Sequence, residues 1–145
     1  MPPVLWMVLI LLASSDSLGA PKTEGWLRKI LAAIFGALPA EKLHVLHILL
    51  RKAGHLVAYA ILGGLSYRSA RGPMPATSWW SRRAAVYALG FSLATALLDE
   101  LRQLLTETRS GSAWDVALDM AGALLPLAII WVASPRQKAK AAAEI

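Results

Sequence analysis

The stretch LLRKAGHLVAYAILGGL, residues 49–65, decides how this chain can fold. Most of it is apolar enough for a membrane-spanning helix, but it also contains Arg51, Lys52 and His55. A charge at the centre of a bilayer costs about 2.5 to 3.5 kcal/mol even on a lenient insertion scale. These three side chains are therefore expected to face other helices instead of lipid.

The composition of the whole chain is that of a membrane protein. Its mean hydropathy is +0.51 and 57% of its 145 residues are hydrophobic, while charges occur in short clusters. With no cysteine, the chain offers neither a disulfide framework nor a thiolate metal site or nucleophile. The net charge of +6 lies beside apolar runs, where membrane topology and anionic lipid headgroups explain it better than nucleic acid does. We expect one membrane domain, residues 1–145, and no nucleic-acid partner.

Four apolar runs predict an all-α integral membrane helical bundle with about four transmembrane helices. The expected spans are residues 3–18, 43–67, 84–105 and 113–133. The first is short of the roughly 20 residues that a bilayer normally requires. The small residues at its end would also suit the cleavage site of a secretory signal peptide, but no Lys or Arg precedes the apolar run. A retained helix is the preferred interpretation.

Residues 24–38 predict a helix of another kind. Apolar residues recur there at helical spacing, with Arg28 and Lys29 between them and Trp26 near the start. This pattern is typical of an amphipathic helix that lies in the membrane interface. Packing against the neighbouring bundle would require the same pattern, and the two roles are compatible.

The basic residues predict how the bundle is oriented. Four arginines occur between residues 68 and 83, and three more basic residues follow Pro135. The connection at residues 106–111 has only one acid and one base. By the positive-inside rule, both termini and the loop at 68–83 then lie in the cytoplasm.

Ionisable residues on three of the predicted spans fall at one depth. Counted at about 1.5 Å per residue, Lys52 is about 6 Å and His55 about 10 Å inside the second span. Asp99 and Asp119 are each about 9 Å inside the third and fourth spans. All four residues therefore belong to the outer third of the bilayer.

The polar faces of these spans also agree. Arg51, His55 and Tyr59 are spaced by four residues, and so are Asp115 and Asp119. The least costly arrangement points the faces at one another, which predicts a pocket open to the extracytoplasmic side. The expected ligand-binding residues are Arg51, Lys52, His55, Tyr59, Asp99, Glu100, Gln103, Arg109, Asp115 and Asp119. A set of ion pairs that only fixes helix register is the alternative interpretation.

Four motifs stand in order along the chain. They are SS at residues 14–15, RKAGHLVAYAILGGL at 51–65, LLDELRQLL at 97–105 and RSGSAWDVALDMAG at 109–122. Together these motifs resemble the VanZ-like family of small bacterial membrane proteins, which is named for a member associated with resistance to the glycopeptide teicoplanin. The resemblance covers nearly the whole chain.

The resemblance implies a compact helical domain in the bacterial inner membrane. Its motif positions are Lys52, His55, Tyr59, Asp99, Glu100, Gln103, Arg109 and Asp115. Two positions depart from the family pattern. Asp119 stands where members typically carry Asn, and LTET at 105–108 lacks the Pro-Gly often found before the motif arginine.

The first functional hypothesis is a non-enzymatic pocket for an anionic or glycan-bearing molecule of the cell envelope. A lipid-linked precursor or an acylated glycopeptide would fit this description, and the resemblance links it to antibiotic resistance against teicoplanin. Arg51, Lys52 and Arg109 would contact phosphate or carboxylate, and the carboxylates would accept hydrogen bonds from hydroxyl or amide groups.

The second hypothesis is a membrane enzyme that performs hydrolysis or group transfer on such a molecule. His55 would be the base or nucleophile, near Asp99 or Asp115. A divalent metal held by His55, Asp99, Glu100, Asp115 or Asp119 is an alternative. No HxxxH or HExxH pair occurs, however, so we expect neither a metal nor another cofactor. His44 and His47 are expected to be solvated or capping residues near the interface. A proton-coupled transporter is a third class, which four short spans without inverted repeats make the least favoured. The sequence does not predict an oligomeric state.

Overall fold

The computed structural model describes residues 2–14, 20–36, 39–73, 79–104 and 112–134. The described part of the chain is helical and contains no strand, which confirms the all-α prediction for these residues. Its five helices are α1 Pro2–Ala13, α2 Ala20–Phe35, α3 Ala40–Arg71, α4 Arg82–Leu104 and α5 Ala113–Ala133.

Three of these helices, α3, α4 and α5, are long and apolar enough to cross a membrane. The first helix, α1, is apolar but has only 12 residues. At about 1.5 Å per residue it is about 18 Å long, well short of a hydrocarbon core of about 30 Å. The predicted first span continued to residue 18, and residues 15–18 lie outside the described part of the chain.

The central helix α3 extends beyond the predicted span 43–67 at both ends. Glu41 lies in its first turn and Arg68 and Arg71 lie in its last turn. Acidic groups near a helix N-terminus and basic groups near its C-terminus stabilise the unpaired backbone ends. The apolar run alone therefore underestimates the helix, because these charged residues prolong it.

Two glycines set the distance between α3 and α5. A Cβ atom added at Gly63 would lie only 2.6 Å from the carbonyl oxygen of Ala123, and one added at Gly122 would overlap the carbonyl of Leu56. Real Cβ contacts are not this short, so any larger residue would push the two helices apart. Small residues at such crossings are typical of membrane helix pairs.

One end of the bundle, which we call the closed end, is packed with small and aromatic residues. Its buried cluster consists of Tyr67, Ala84, Ala85, Ala88 and Leu127. The Tyr67 hydroxyl donates a hydrogen bond to the carbonyl of Trp79 at 2.7 Å and accepts one from the backbone N–H of Ser81 at 2.8 Å. Tyr67 thus ties the end of α3 to the segment that leads into α4.

The short helix α1 packs against α3 and α4. The indole Nε1 of Trp6 donates to the carbonyl of Ala58 at 2.9 Å. Ile10 belongs to a buried cluster with Tyr59. The guanidinium of Arg102 donates to the carbonyl of Leu11 at 2.8 Å, so α4 satisfies one of the unpaired carbonyls at the C-terminal end of α1.

None of the α2 side chains that the structure describes is buried. Trp26 is 70% exposed, Ile30 is also exposed, and the Lys29 ammonium lies 5.9 Å from the centroid of the Trp26 ring. Gly36 directly follows the last helical residue, and its φ of 78° is the left-handed conformation typical of a glycine after a helix. The helix begins before the predicted range 24–38, and residues 37 and 38 lie outside the described part.

Candidate functional site

A cavity of about 170 Å³ lies between the first half of α3, the last turns of α4 and the first turns of α5. We call this part of the bundle the cavity end, and it is opposite the closed end. Its lining residues are His44, His47, Ile48, Arg51, Lys52, His55, Glu100, Gln103, Asp115, Leu118 and Asp119. Most of the predicted ligand-binding residues are therefore brought together around one space.

Basic and acidic side chains lie on different walls of the cavity. Every basic or histidine side chain in the lining comes from α3, and every acidic side chain comes from α4 or α5. Because residues three, four and seven apart share a helix face, one stripe of α3 supplies the whole basic wall. Ile48 and Leu118 add an apolar part to the lining.

The innermost contact across the cavity joins His55 to Asp119. The imidazole Nδ1 lies 3.2 Å from Oδ1 of Asp119, which is only 1% exposed. The second carboxylate oxygen of Asp119 is buried and has no hydrogen-bond partner among the described residues. This proximity follows from the helix crossing, because Leu56 and Gly122, which touch there, are close in sequence to His55 and Asp119.

The partner of His55 differs from the sequence hypothesis, which placed Asp99 or Asp115 beside it. Helical spacing predicts that three aspartates approach His55, but the rotation of each helix decides which one is within hydrogen-bond distance. In the structure that residue is Asp119. The imidazole is left with its Nε2 atom unpaired among the described residues.

Nearer the end of the bundle, Lys52 and Asp115 form a long ion pair. The ammonium lies 3.8 Å from Oδ1 of Asp115, and the Lys52 side chain is 43% exposed. Arg51 makes a 3.5 Å contact with the amide oxygen of Gln103. Among the described residues, no carboxylate lies within 4.0 Å of the Arg51 guanidinium.

The side-chain amide nitrogen of Gln103 donates hydrogen bonds to Asp99 and Ser14. The Asp99 carboxylate accepts from the Ser14 hydroxyl at 2.8 Å and from the Gln103 amide at 3.0 Å. These contacts turn the amide nitrogen toward Asp99 and the amide oxygen toward Arg51. Asp99 is buried and does not line the cavity, so its position is that of a support for Gln103.

Glu100 connects the cavity to the start of α5. Its Oε2 atom accepts from the backbone N–H of Ser112 at 2.6 Å, and the Ser112 hydroxyl accepts from the backbone N–H of Trp114 at 3.2 Å. Ser112 is the N-cap residue of α5, so the carboxylate helps to fix the helix start that carries Asp115.

Two of the predicted site residues that the structure describes, Asp99 and Tyr59, do not line the cavity. Tyr59 is 0% exposed and stacks beside the His55 ring, with 6.5 Å between the centroids. Its hydroxyl has no hydrogen-bond partner among the described residues, but it does not line the cavity. Arg109 lies outside the described residues, as does the LTET segment before it.

His44 and His47 are not among the predicted ligand-binding residues, because they were expected to be solvated or capping residues near the interface. Both line the cavity in the structure. The spacing contained the necessary information, because His47, Arg51 and His55 follow one another at intervals of four residues. Within the described part of the chain, no group of three or more His, Cys, Asp and Glu residues is arranged to hold a metal ion.

A family comparison agrees with the motifs. The model of the family described as VanZ/LLP1 matches residues 3–134. No curated protein and no solved structure gave a match to the chain. The matched range contains every residue that lines the cavity. Three helices capable of crossing a membrane and a family match over nearly the whole length indicate a membrane protein, and this chain belongs to the VanZ/LLP1 family.

Proposed function

We propose that this protein binds an envelope molecule through an anionic group, phosphate or carboxylate, in the cavity between α3, α4 and α5. The observation that carries this proposal is that Arg51 has no acidic partner among the described residues. Its guanidinium lies at the cavity wall with a long contact to a neutral amide and no carboxylate within 4.0 Å among the described residues. A guanidinium presents several N–H donors in a plane that matches phosphate and carboxylate oxygens.

Lys52 supports the same interpretation. Its pair with Asp115 is long and partly solvated, and pairs of this kind contribute about 0 to 1 kcal/mol. An incoming anionic group would therefore displace Asp115 from the ammonium at little cost. Lys52 and Arg51 are adjacent in sequence and both line the cavity, so they would act on one anionic group.

Other parts of the lining suit the rest of an envelope molecule. Glu100, Asp115 and Asp119 would accept hydrogen bonds from hydroxyl or amide groups. Ile48 and Leu118 would contact a hydrocarbon portion. The volume of about 170 Å³ is below the roughly 300 to 1,000 Å³ of typical drug-sized sites, which favours a head group in the cavity and the bulk of the ligand outside it.

The cavity end is proposed to open on the extracytoplasmic side of the bacterial inner membrane, with both chain termini in the cytoplasm. Arg68 follows Arg51 by about 25 Å along α3, and the other arginines of residues 68–83 are at the same end as Arg68. We place α1 in the membrane as a fourth, incomplete helix of the bundle. The exposed Trp26 and Ile30 of α2, with Lys29 beside them, favour an interfacial position for that helix.

A pocket of this kind would connect the protein to the cell envelope. Family resemblance to a protein of teicoplanin resistance makes an acylated glycopeptide or a lipid-linked precursor the first ligands to examine. Both carry acidic groups and a long hydrocarbon portion, which is the combination that the cavity lining favours.

Binding of a polyprenyl phosphate to the purified protein tests this proposal, with the uncharged polyprenol as the matched ligand. We expect saturable binding of the phosphate and not of the alcohol. Arg51→Ala should weaken phosphate binding about tenfold, because a charge-assisted hydrogen bond is lost. Arg68→Ala removes the same charge from the closed end of α3 and should leave the affinity unchanged. Equal binding of phosphate and alcohol would contradict the proposal.

A second function, hydrolysis or group transfer, is favoured by one specific observation. The carboxylate of Asp119 lies beside Nδ1 of His55, and Nε2 is unpaired among the described residues. In hydrolases this relation lets the carboxylate orient the imidazole while the other nitrogen takes a proton from water or a hydroxyl group. Arg51 and Lys52 would then stabilise developing negative charge.

Turnover of extracted envelope lipids, followed by mass spectrometry, separates the two functions. If the protein is an enzyme, His55→Gln should lower turnover by about a hundredfold or more while ligand binding falls only modestly. If it is a binding protein, Lys52→Ala should reduce affinity more than His55→Gln does. Saturable binding without any chemical change in the ligand would eliminate the enzyme.

A further inference from the structure

The charges of the cavity are not all paired with one another. Lys52 contacts Asp115 and His55 contacts Asp119, so each of these contacts joins the basic wall to the acidic wall. Arg51 and Glu100 also line the cavity, but neither has an oppositely charged partner within 4.0 Å among the described residues. One cation and one anion of the lining are therefore available to a ligand.

Glu100 is poorly compensated for a carboxylate in this environment. The residue is only 7% exposed, and its one described hydrogen bond is from the backbone N–H of Ser112 to Oε2. Removing a carboxylate from water is costly unless hydrogen-bond donors or a cation replace the water. A cationic donor group inside the cavity would give Oε1 a hydrogen-bond partner, which it does not have among the described residues.

We propose that the ligand's head group is zwitterionic, with its anionic group on Arg51 and a primary ammonium on Glu100. This inference rests on the proposed function and adds the second charge of the ligand. The chemistry is that of a phosphoethanolamine group, in which a phosphate and a primary ammonium are separated by two carbon atoms. Such a group can come from a phospholipid or from a soluble phosphodiester, and the same cavity would recognise both.

The ammonium must be primary for this recognition. A primary ammonium has three N–H donors for carboxylate oxygens, whereas the trimethylammonium of choline has none. A phosphoglycerol head group offers the phosphate without any cation. Lipids with ethanolamine, choline and glycerol head groups and identical acyl chains therefore differ in the feature that Glu100 would recognise.

The experiment measures binding of these three lipids to the full-length purified protein by native mass spectrometry in detergent. We expect the ethanolamine lipid to bind about tenfold more tightly than the choline and glycerol lipids. Glu100→Gln should bring the ethanolamine lipid to the level of the other two, because the neutral amide still accepts from Ser112 but no longer pairs with the ammonium. Glu41→Gln, an exposed position in the first turn of α3, should preserve the preference.

Binding of the ethanolamine, choline and glycerol lipids to the unmodified protein tests the inference even if Glu100→Gln does not fold. Competition by soluble glycerophosphoethanolamine, and not by glycerophosphocholine, would support the inference and identify a soluble source. Tighter binding of the ethanolamine lipid without such competition would support it and identify a phospholipid source. Equal binding of all three lipids, each weakened by Arg51→Ala, would overturn the inference and leave the proposed function standing. Binding of no lipid, or lipid binding that Arg51→Ala does not change, would overturn both.

Discussion

The two ends of the α3–α4–α5 bundle are built from the same helices in different ways. At the closed end, alanines of α4 pack against Tyr67 and Leu127, and the Tyr67 hydroxyl has both a donor and an acceptor partner. At the cavity end, charged side chains face one another across a space of about 170 Å³, and the Lys52 to Asp115 contact is long and partly exposed. If the proposed function is right, the closed end should contribute more to stability and the cavity end more to ligand binding.

The crossing of α3 and α5 lies between these ends and makes the difference possible. Gly63 and Gly122 bring the two backbones into contact, so helix position does not depend on the ion pairs of the cavity end. The proposed ligand site requires such an arrangement, in which the charged residues of the cavity end are not needed to hold the bundle together. Three changes test this division, in order of their expected effect on stability.

The largest effect is expected from Gly122→Ala at the crossing. The added Cβ would overlap the carbonyl of Leu56, and moving a helix backbone to relieve the overlap costs about 3 kcal/mol of unfolding free energy. Gly90→Ala is the control, because nothing lies within 4 Å of a Cβ atom there and alanine favours a helix by about 1 kcal/mol over glycine. Thermal unfolding in detergent, followed by circular dichroism, measures both. Equal stability of the two variants would show that the crossing does not determine the distance between the helices.

A smaller effect is expected from Tyr67→Phe at the closed end. The change removes the hydrogen bonds to Trp79 and Ser81 and should lower the unfolding free energy by about 1 kcal/mol. Polyprenyl phosphate affinity should not change, since the cavity is at the opposite end. Tyr87→Phe, at an exposed position of α4, should alter neither quantity. If Tyr67→Phe lost affinity for the phosphate ligand without losing stability, the closed end would also affect ligand binding, which would contradict the comparison.

The smallest effect on stability is expected from Lys52→Ala at the cavity end. A partly exposed ion pair contributes at most about 1 kcal/mol, so thermal unfolding should change little. Affinity for the phosphate ligand should fall, because an anion-binding donor is lost. The variant would refute the comparison if it unfolded at a markedly lower temperature and bound the ligand with unchanged affinity.

Much of the fold could be predicted from the sequence because long apolar runs determine where helices cross a membrane. The run at residues 113–133 gives the bounds of α5 directly. The first apolar run could not be assessed in this way, since α1 ends at Ala13 and is shorter than the predicted span. The ends of α3 were also underestimated, because charged residues and not apolar ones form its first and last turns.

The helical rise is nearly constant, so counting residues placed Lys52, His55, Asp99 and Asp119 at one level. Three of these residues line one cavity, whereas Asp99 is buried and does not line it. The sequence could not predict which partner each residue has, since that depends on the rotation of each helix. His55 thus meets Asp119, and Tyr59, which shares the stripe of His55, is buried behind the cavity wall.

The hydrogen bond from Ser14 to Asp99 has a consequence for the N-terminal helix. Ser14 follows α1 directly, and Asp99 orients the amide of Gln103 at the cavity wall. Proteolysis in the small-residue segment at 17–20 would disconnect α1 from the rest of the chain and remove the covalent restraint on this contact. The buried Asp99 carboxylate would then keep its hydrogen bond from Ser14 only while the released α1 peptide stayed bound. The hydrogen bond from Ser14 therefore gives the C-terminal end of α1 a part in the arrangement of the cavity wall.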